Sequence, residues 1–465
     1  MESRGETEDQ KKSLSGMKAF GVIWAGQLVS LLGTGMTQFA VTIWAWQETG
    51  SATALSLVAV FNFAPTVLLS PVAGALVDRW NRKLTMMLSD LLAGTGTLGL
   101  LFILSAGELE IWHLYVAGLL AGAGQAFQWP AYSAAISTMM SKEQYGRANG
   151  MLSSAEAGST IATPVLGAAL LALVGIGGVF LIDVVTFSLA IVALLVVHVP
   201  QPAKVVDQEA KDLSLWSDSI FGFRYILARR SLLGLQLVFT AINFVAPLSF
   251  VLLAPMVLAR TGNNELVLGS VQSVLGVGGL FGGIAMSVWG GPKRRVHGVL
   301  LGMVASSLLG STLIGLARDV TWWSVGAFFA MFFIPIVNGS NQAIWQTKVA
   351  PALQGRVFAA RRLIAQVTAP LAMFIAGPLA DYVFEPLLAT PGRLSWLVGS
   401  GPGTGMALMF ILAGVLGVLT GVAGYLIPEV RLVEDILPDH DAAAQPMAGT
   451  DQLADGLPLG TVAER

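Results

Sequence analysis

The chain has 465 residues, 54% hydrophobic and only 12% charged, with a net charge of -2 and a mean hydropathy of +0.71. Soluble domains carry about a quarter charged residues, so this chain cannot cover a water-facing surface and its main solvent is lipid. The charge balance gives no general attraction to nucleic acid; the absence of cysteine excludes disulfides, thiol catalysis and cysteine metal sites, and the four widely spaced histidines (His113, His198, His297, His440) form no visible metal cluster.

Residues 1–17 are polar and read as a tail. The first apolar run is too long for a signal-peptide core and reads as a retained span. A helix crosses a bilayer with about 20 mainly apolar residues. Twelve runs qualify, at about 20–46, 54–77, 84–106, 113–138, 149–174, 177–198, 232–258, 266–289, 297–317, 322–345, 357–383 and 405–427. They are too long for barrel strands, so an all-α membrane protein of twelve transmembrane helices is expected. With the N-terminus in the cytoplasm, 23 of the 26 Lys and Arg fall on the inner side. The outer loops hold only Arg260, Arg318 and Arg393. That asymmetry supports the count, because one missed span would flip every later loop.

The runs divide into two six-helix bundles, 18–198 and 232–430, joined by a linker at 199–231. The linker begins PQPAKVVDQEAKD and ends in an amphipathic LWSDSIFGFRYILARR, expected to lie on the inner membrane surface. The stretch 431–465 is acidic and rich in Ala, Gly and Pro, and is expected to be disordered. At an offset of 209 residues Gln27 meets Gln236, Gly74 meets Gly283, Trp80 meets Trp289, and Gly146-Arg147 meets Gly355-Arg356. Each pair falls at the same point of its own half, which suggests pseudo-symmetric halves of the kind found in transporters.

Four polar stripes lie inside the apolar runs. Gln27, Ser30, Thr34 and Gln38 share one face of span one. Span four carries Gln125, Gln128, Trp129 and Tyr132; span seven carries Gln236, Thr240 and Asn243; span ten carries Asn338, Asn341, Gln342 and Trp345. Amides facing lipid are costly. The stripes therefore line a shared substrate cavity, or they hydrogen-bond one helix to another. Their recurrence on the first and fourth helix of each half favours the cavity, and amides with aromatics suit neutral or weakly polar ligands. Three carboxylates, Asp90, Glu156 and Asp183, also lie within spans. A carboxylate in lipid is expensive unless it is protonated or hydrogen-bonded, so these are candidate proton carriers or buried structural acids. Gly278-x-x-x-Gly282 and Gly279-x-x-x-Gly283 read as close helix packing.

The stretch GALVDRWNRK after span two, with Gly74, Asp78, Arg79, Arg82 and Lys83, resembles the signature loop of the major facilitator superfamily. It departs at Asn81, where that pattern has glycine. Span five resembles the superfamily's exporter motif through Gly150, Pro164 and Gly167, with Ser159, Thr163 and Ala168 in place of glycines. NGSNQAIWQTKVAPALQGRVFAARRLIAQ (338–366) and GPLADYVFEPLL (377–388) resemble the bacterial drug-export branch that includes macrolide exporters and the enterobactin exporter. Span four lacks the arginine that many proton-coupled drug exporters carry there, which puts more weight on Asp90 and Glu156.

The resemblance implies a secondary transporter in the bacterial plasma membrane, multi-pass, with both termini cytoplasmic. It implies proton-driven efflux of lipophilic or weakly polar molecules, macrolide-like drugs or a siderophore, by rocking two halves. Gating is expected at Gly74, Asp78, Arg79, Arg82, Gly355, Arg356 and Pro164. In the superfamily the acid equivalent to Asp78 meets the N-terminus of helix eleven. No cofactor or metal is expected, and the chain is expected to act as a monomer on a small-molecule substrate. The alternative within the superfamily is an importer of a small nutrient, but the stripes carry no charged group for an ionic nutrient. A membrane enzyme is disfavoured by the lack of a catalytic constellation, and a non-transporting scaffold by the paired cavity.

Overall fold

The computed structural model describes residues 16–77, 80–141, 144–200, 215–390 and 394–440. Ten helices there are long and apolar enough to cross a membrane. The first half contains α1 (Gly16–Thr49), α2 (Ala52–Val77), α3 (Arg82–Ser105), α4 (Ile111–Met139) and α5 (Tyr145–Val196). The 52-residue α5 is a hairpin of two spans that breaks at Gly175, where φ is 67° and ψ 177°. Its contacts with α1 show the reversal. Ser159 meets Leu31, Thr163 meets Gly35 and Phe39 meets Gly167, in ascending order; Asp183 meets Gly33 and Ala190 meets Gly26, in descending order. With the arms of α5 counted separately, five segments of the first half meet that length and apolarity, and the more polar α4 packs against both α2 and α3.

A linker helix, α6 (Leu215–Leu227), leads to the second half: α7 (Arg230–Phe250), α8 (Leu253–Thr261), α9 (Glu265–Trp289), α10 (Arg295–Ala305), α11 (Leu313–Leu316), α12 (Val320–Lys348), α13 (Pro351–Gln366), α14 (Thr368–Leu379), α15 (Glu385–Leu388), α16 (Ser395–Val398) and α17 (Thr404–Leu426). Expected span seven is broken after Pro247 into α7 and α8. Spans nine and eleven each contain a π-helical segment, Ser306–Thr312 and Ala380–Phe384. An apolar run reports length and says nothing of such interruptions.

The two halves share one apolar core at the end opposite the basic loops. There Phe39, Ile43, Leu55 and Phe180 of the first half pack with Met256, Leu268, Ile314 and Phe410 of the second. At the basic end the cores are separate. Ile23, Val77, Met86 and Leu194 form one, and Leu235, Val299, Trp345 and Val357 the other. Among the described residues the halves therefore share a core at one end and keep separate cores at the end carrying the basic loops.

Glycine spacing behaves as expected on one face of α9 only. A methyl group on Gly278 or Gly282 would overlap the carbonyl of Phe328 or Phe332 on α12, whereas Gly279 and Gly283 face open space. Gly282→Val is expected to lower stability by about 1–3 kcal/mol through overpacking, and Gly283→Val by far less. Thermal unfolding of the purified protein in detergent checks the contrast.

Two expectations near the basic end change. Helix α6 does not merely lie on a surface: Gly222 packs against the Arg356 carbonyl and Ala360 of α13, and Ile226 is fully buried. Residues 431–440 of the stretch expected to be disordered are described and partly helical. Two short helices, α18 (Pro428–Arg431) and α19 (Val433–Ile436), follow α17. The Glu434 carboxylate accepts from the Arg295 and Val296 amides at 3.1 and 2.9 Å, at the start of α10. Lys348 donates to the Glu434 carbonyl and to Asp439, each at 2.7 Å. An acid at a helix N-terminus is favourable, and an acid-rich stretch is legible as a set of caps only once those termini are placed. Residues 441–465 lie outside the described residues.

Two of the three exceptions in the charge asymmetry are helix-end supports. Arg260 donates to the carbonyls of Ala317 (3.0 Å) and Val398, and Arg318 to that of Trp396 (2.7 Å). Arg393 lies outside the described residues.

Candidate functional site

In the first half three residues of the expected stripes, Gln27, Thr34 and Gln128, bond to two buried acids. The Gln27 amide donates to Asp90 Oδ2 at 2.8 Å. The Gln128 amide donates to Asp90 Oδ1 and to Gln27 Oε1, each at 2.9 Å. Asp90 is 8% exposed. Spans one, three and four thus meet around one carboxylate. Tyr132 stacks on Phe20 with centroids 6.3 Å apart. Its hydroxyl and Gln128 Oε1 are buried and have no partner among the described residues. A buried polar atom without a partner costs about 1–3 kcal/mol, so the Tyr132 hydroxyl and Gln128 Oε1 are two unspent hydrogen-bonding groups beside Asp90.

Asp183 is held differently. Thr34 donates to its Oδ1 at 3.1 Å and Thr97 to its Oδ2 at 2.8 Å, tying span six to spans one and three. Ser30 is buried and Gln38 exposed. Gln125 and Trp129 are exposed as well. Glu156 is exposed, and its side chain makes no hydrogen bond among the described residues.

The second-half stripes act largely as helix ties. Gln236 donates to the Arg361 carbonyl at 3.1 Å and Thr240 to that of Ile364 at 3.4 Å, so span seven is bound to α13. Asn243 bonds back to the Phe239 carbonyl of its own helix at 2.8 Å. On α12, Asn341 and Trp345 are buried and bonded to each other, the indole donating at 3.2 Å. Asn338 is exposed. Gln342 accepts from Arg361 at 2.9 Å, and the Arg361 guanidinium lies over the rings of Trp345 and Phe358 at 5.2 and 5.6 Å. Arg361 is a functional-site candidate that the stripe pattern did not include. It falls inside the expected span 357–383, and a charged residue within an apolar run is the signal that marks it.

At the basic end, Gly74 and Gly355 have open space where a side chain would project. Asp78 and Arg79 lie outside the described residues. Arg82 donates to the Ala134 carbonyl at 2.6 Å, and Lys83 to those of Leu195 and Val197 at 3.0 and 2.8 Å. Both close helix ends within the first half. Asn81 is the N-cap of α3, accepting from the Leu84 amide at 3.1 Å, which accounts for an Asn where the signature has Gly. Arg356 lies over the Phe221 ring of α6 at 5.9 Å. Pro164 is buried against the second half, its carbonyl next to Gly269 of α9.

The family model described as Major Facilitator Superfamily matches residues 23–373. The chain belongs to the major facilitator superfamily. Among its relatives in this superfamily, macrolide efflux protein A of Streptococcus pyogenes is 25% identical over 426 residues, covering 89% of this chain and 97% of that protein. The multidrug efflux pump Tap of Mycolicibacterium fortuitum is 26% identical over 357 residues, covering 75% and 86%. A bacterial homolog of the human lysosomal transporter Spinster, solved inward-facing and unoccupied, superposes with a TM-score of 0.65 at 14% identity, over 90% of this chain and 98% of that one. The POT family transporter PepTSo superposes with a TM-score of 0.66 at 13% identity, over 90% and 99%. These structural likenesses establish the major facilitator fold.

Proposed function

We propose that the chain exports lipophilic or weakly polar small molecules from the bacterial cytoplasm by alternating access, driven by proton entry. The observation that supports it most is a two-bundle fold, joined at one end and parted at the other, in a chain whose full-length relatives are efflux proteins. The basic end is then cytoplasmic, so the structure is an inward-open state. Efflux is favoured over nutrient import by the names of those relatives.

Asp90 is the proposed proton carrier. Its carboxylate is enclosed and held by amides from spans one and four, so a change in its charge alters contacts that both helices share. Asp183 is the proposed structural pin. Glu156 is a second carboxylate at the parted end, available to water when that end is open. Asp78 is the proposed inner latch, meeting the N-terminus of α13 when the basic end closes, a contact worth about 0.3–1 kcal/mol. Asp78→Asn is expected to impair export at normal folded yield; normal export by a well-expressed variant contradicts it.

The export reading is tested by the susceptibility of an efflux-deficient bacterial host, with and without this protein, over a panel of lipophilic antibiotics and siderophores. Raised tolerance that a proton uncoupler removes supports it. Tolerance unchanged across the panel contradicts it.

A further inference from the structure

We infer that Asp381 is the latch of the outer gate, holding the two halves together at the end opposite the basic loops. This rests on the alternating-access reading above and assigns a role within it to a residue of the GPLADYVFEPLL stretch.

Asp381 belongs to the second half, in the π-helical segment Ala380–Phe384. Its carboxylate reaches the first turn of α2, in the first half. Oδ2 accepts from the Ser51 hydroxyl at 2.7 Å and from the Thr53 amide at 2.8 Å, and Oδ1 accepts from the Ala52 amide at 3.0 Å. The first amides of a helix have no partner within it, and an anion there is favoured by both hydrogen bonding and the helix dipole. One side chain therefore caps a helix of the other half through three bonds. A π-helical turn shifts side-chain register relative to the α-helix before it, and here that turn carries Asp381.

The surrounding contacts agree. One turn earlier, Gly377 lies so close to α2 that a methyl group would overlap the Ser56 hydroxyl. Among the described residues two further side-chain bonds cross between the halves at this end: the Trp46 indole to Asn263, and the Gln47 amide to Glu265, each 2.9 Å. Four residues after Asp381, Glu385 stays within its own half and accepts from the Gly403 and Met406 amides at 3.2 and 3.0 Å, at the start of α17. The two acids divide the work. Rocking the halves open at this end must break the Asp381 cap, whereas the Glu385 cap travels with its bundle.

The chain has no cysteine, so label pairs can be introduced without background. Glu108 and Thr321, on opposite halves at the outer end, report its opening; Ser141 and Gln346 report the inner end. Spin-label distances in lipid nanodiscs without substrate read the balance of states. The unaltered gate is expected to show a short outer and a long inner distance. Asp381→Asn, with the charge removed and one acceptor retained, is expected to raise the outer-open population about tenfold, the effect of roughly one charge-assisted bond. Glu385→Gln is expected to lower thermal stability without moving that balance. Unchanged distances in folded Asp381→Asn overturn the inference. Where that variant does not fold, Ser51→Ala reads the same contact from the other half, with a shift supporting the latch and no shift overturning it. Because these distances require no transport, a chain that moves no drug contradicts the export reading and leaves the latch standing.

Discussion

Asp90→Asn is expected to abolish proton-driven export while leaving the bundle folded. An asparagine at this position has nearly the same shape and still accepts from one of the two glutamines that hold Asp90. The other glutamine can turn its amide to suit. What the substitution removes is the ability to bind and release a proton. Each charge crossing 100 mV supplies about 2.3 kcal/mol, equivalent to roughly fifty-fold in concentration. A variant without that step loses this drive yet retains a substrate site. Flux into proteoliposomes under an imposed pH gradient measures the loss, and equilibrium binding of the same drug measures what is kept. Wild-type flux in the variant removes Asp90 as the carrier.

Asp183 is expected to behave oppositely. Its two oxygens each take a threonine hydroxyl, and hydroxyls can rotate to donate or accept. Asp183→Asn is therefore expected to export within about threefold of wild type. Asp183→Ala leaves the half-buried Thr34 and buried Thr97 hydroxyls without this partner and a gap between three helices. That combination is expected to cost about 2–4 kcal/mol. The signature is loss of folded protein, read by size-exclusion profile and thermal unfolding, with residual export per folded molecule retained. An Asp183→Asn variant that folds normally but cannot use a proton gradient contradicts the structural role and gives coupling to Asp183.

The architecture was largely legible because lipid imposes a strict rule. Every pass must be a helix with about 20 apolar residues, and basic residues sort to one side. The turn between the arms of α5 carries three glycines, Gly175, Gly177 and Gly178, in a run too long for a single crossing. The stripes were legible as polar faces, but their partners were not. Periodicity showed that Gln27 and Gln128 face inward; it did not show that both close on Asp90. The same pattern in Gln236 and Thr240 binds one helix to another and contacts backbone only.

What was missed shares one physical cause. Asp381 and Glu385 cap helix starts that lie elsewhere in the sequence, and Arg361 meets a glutamine and a ring on a neighbouring helix. An apolar-run reading treats such residues as span edges. GPLADYVFEPLL stood out as a resemblance with no assigned chemistry, and only the position of α2 gives its acid a role. The acidic stretch near Glu434 went the same way: composition suggested disorder, while the amide groups at the start of α10 supply its partner.

The measurement that most directly tests the central claim is drug accumulation in inverted membrane vesicles that hold this protein and are energised to pump protons inward. The account predicts that a macrolide accumulates inside, by up to about fifty-fold for each proton exchanged per 100 mV, and leaves when an uncoupler is added. Accumulation that matches vesicles without the protein, or that survives the uncoupler, would contradict it.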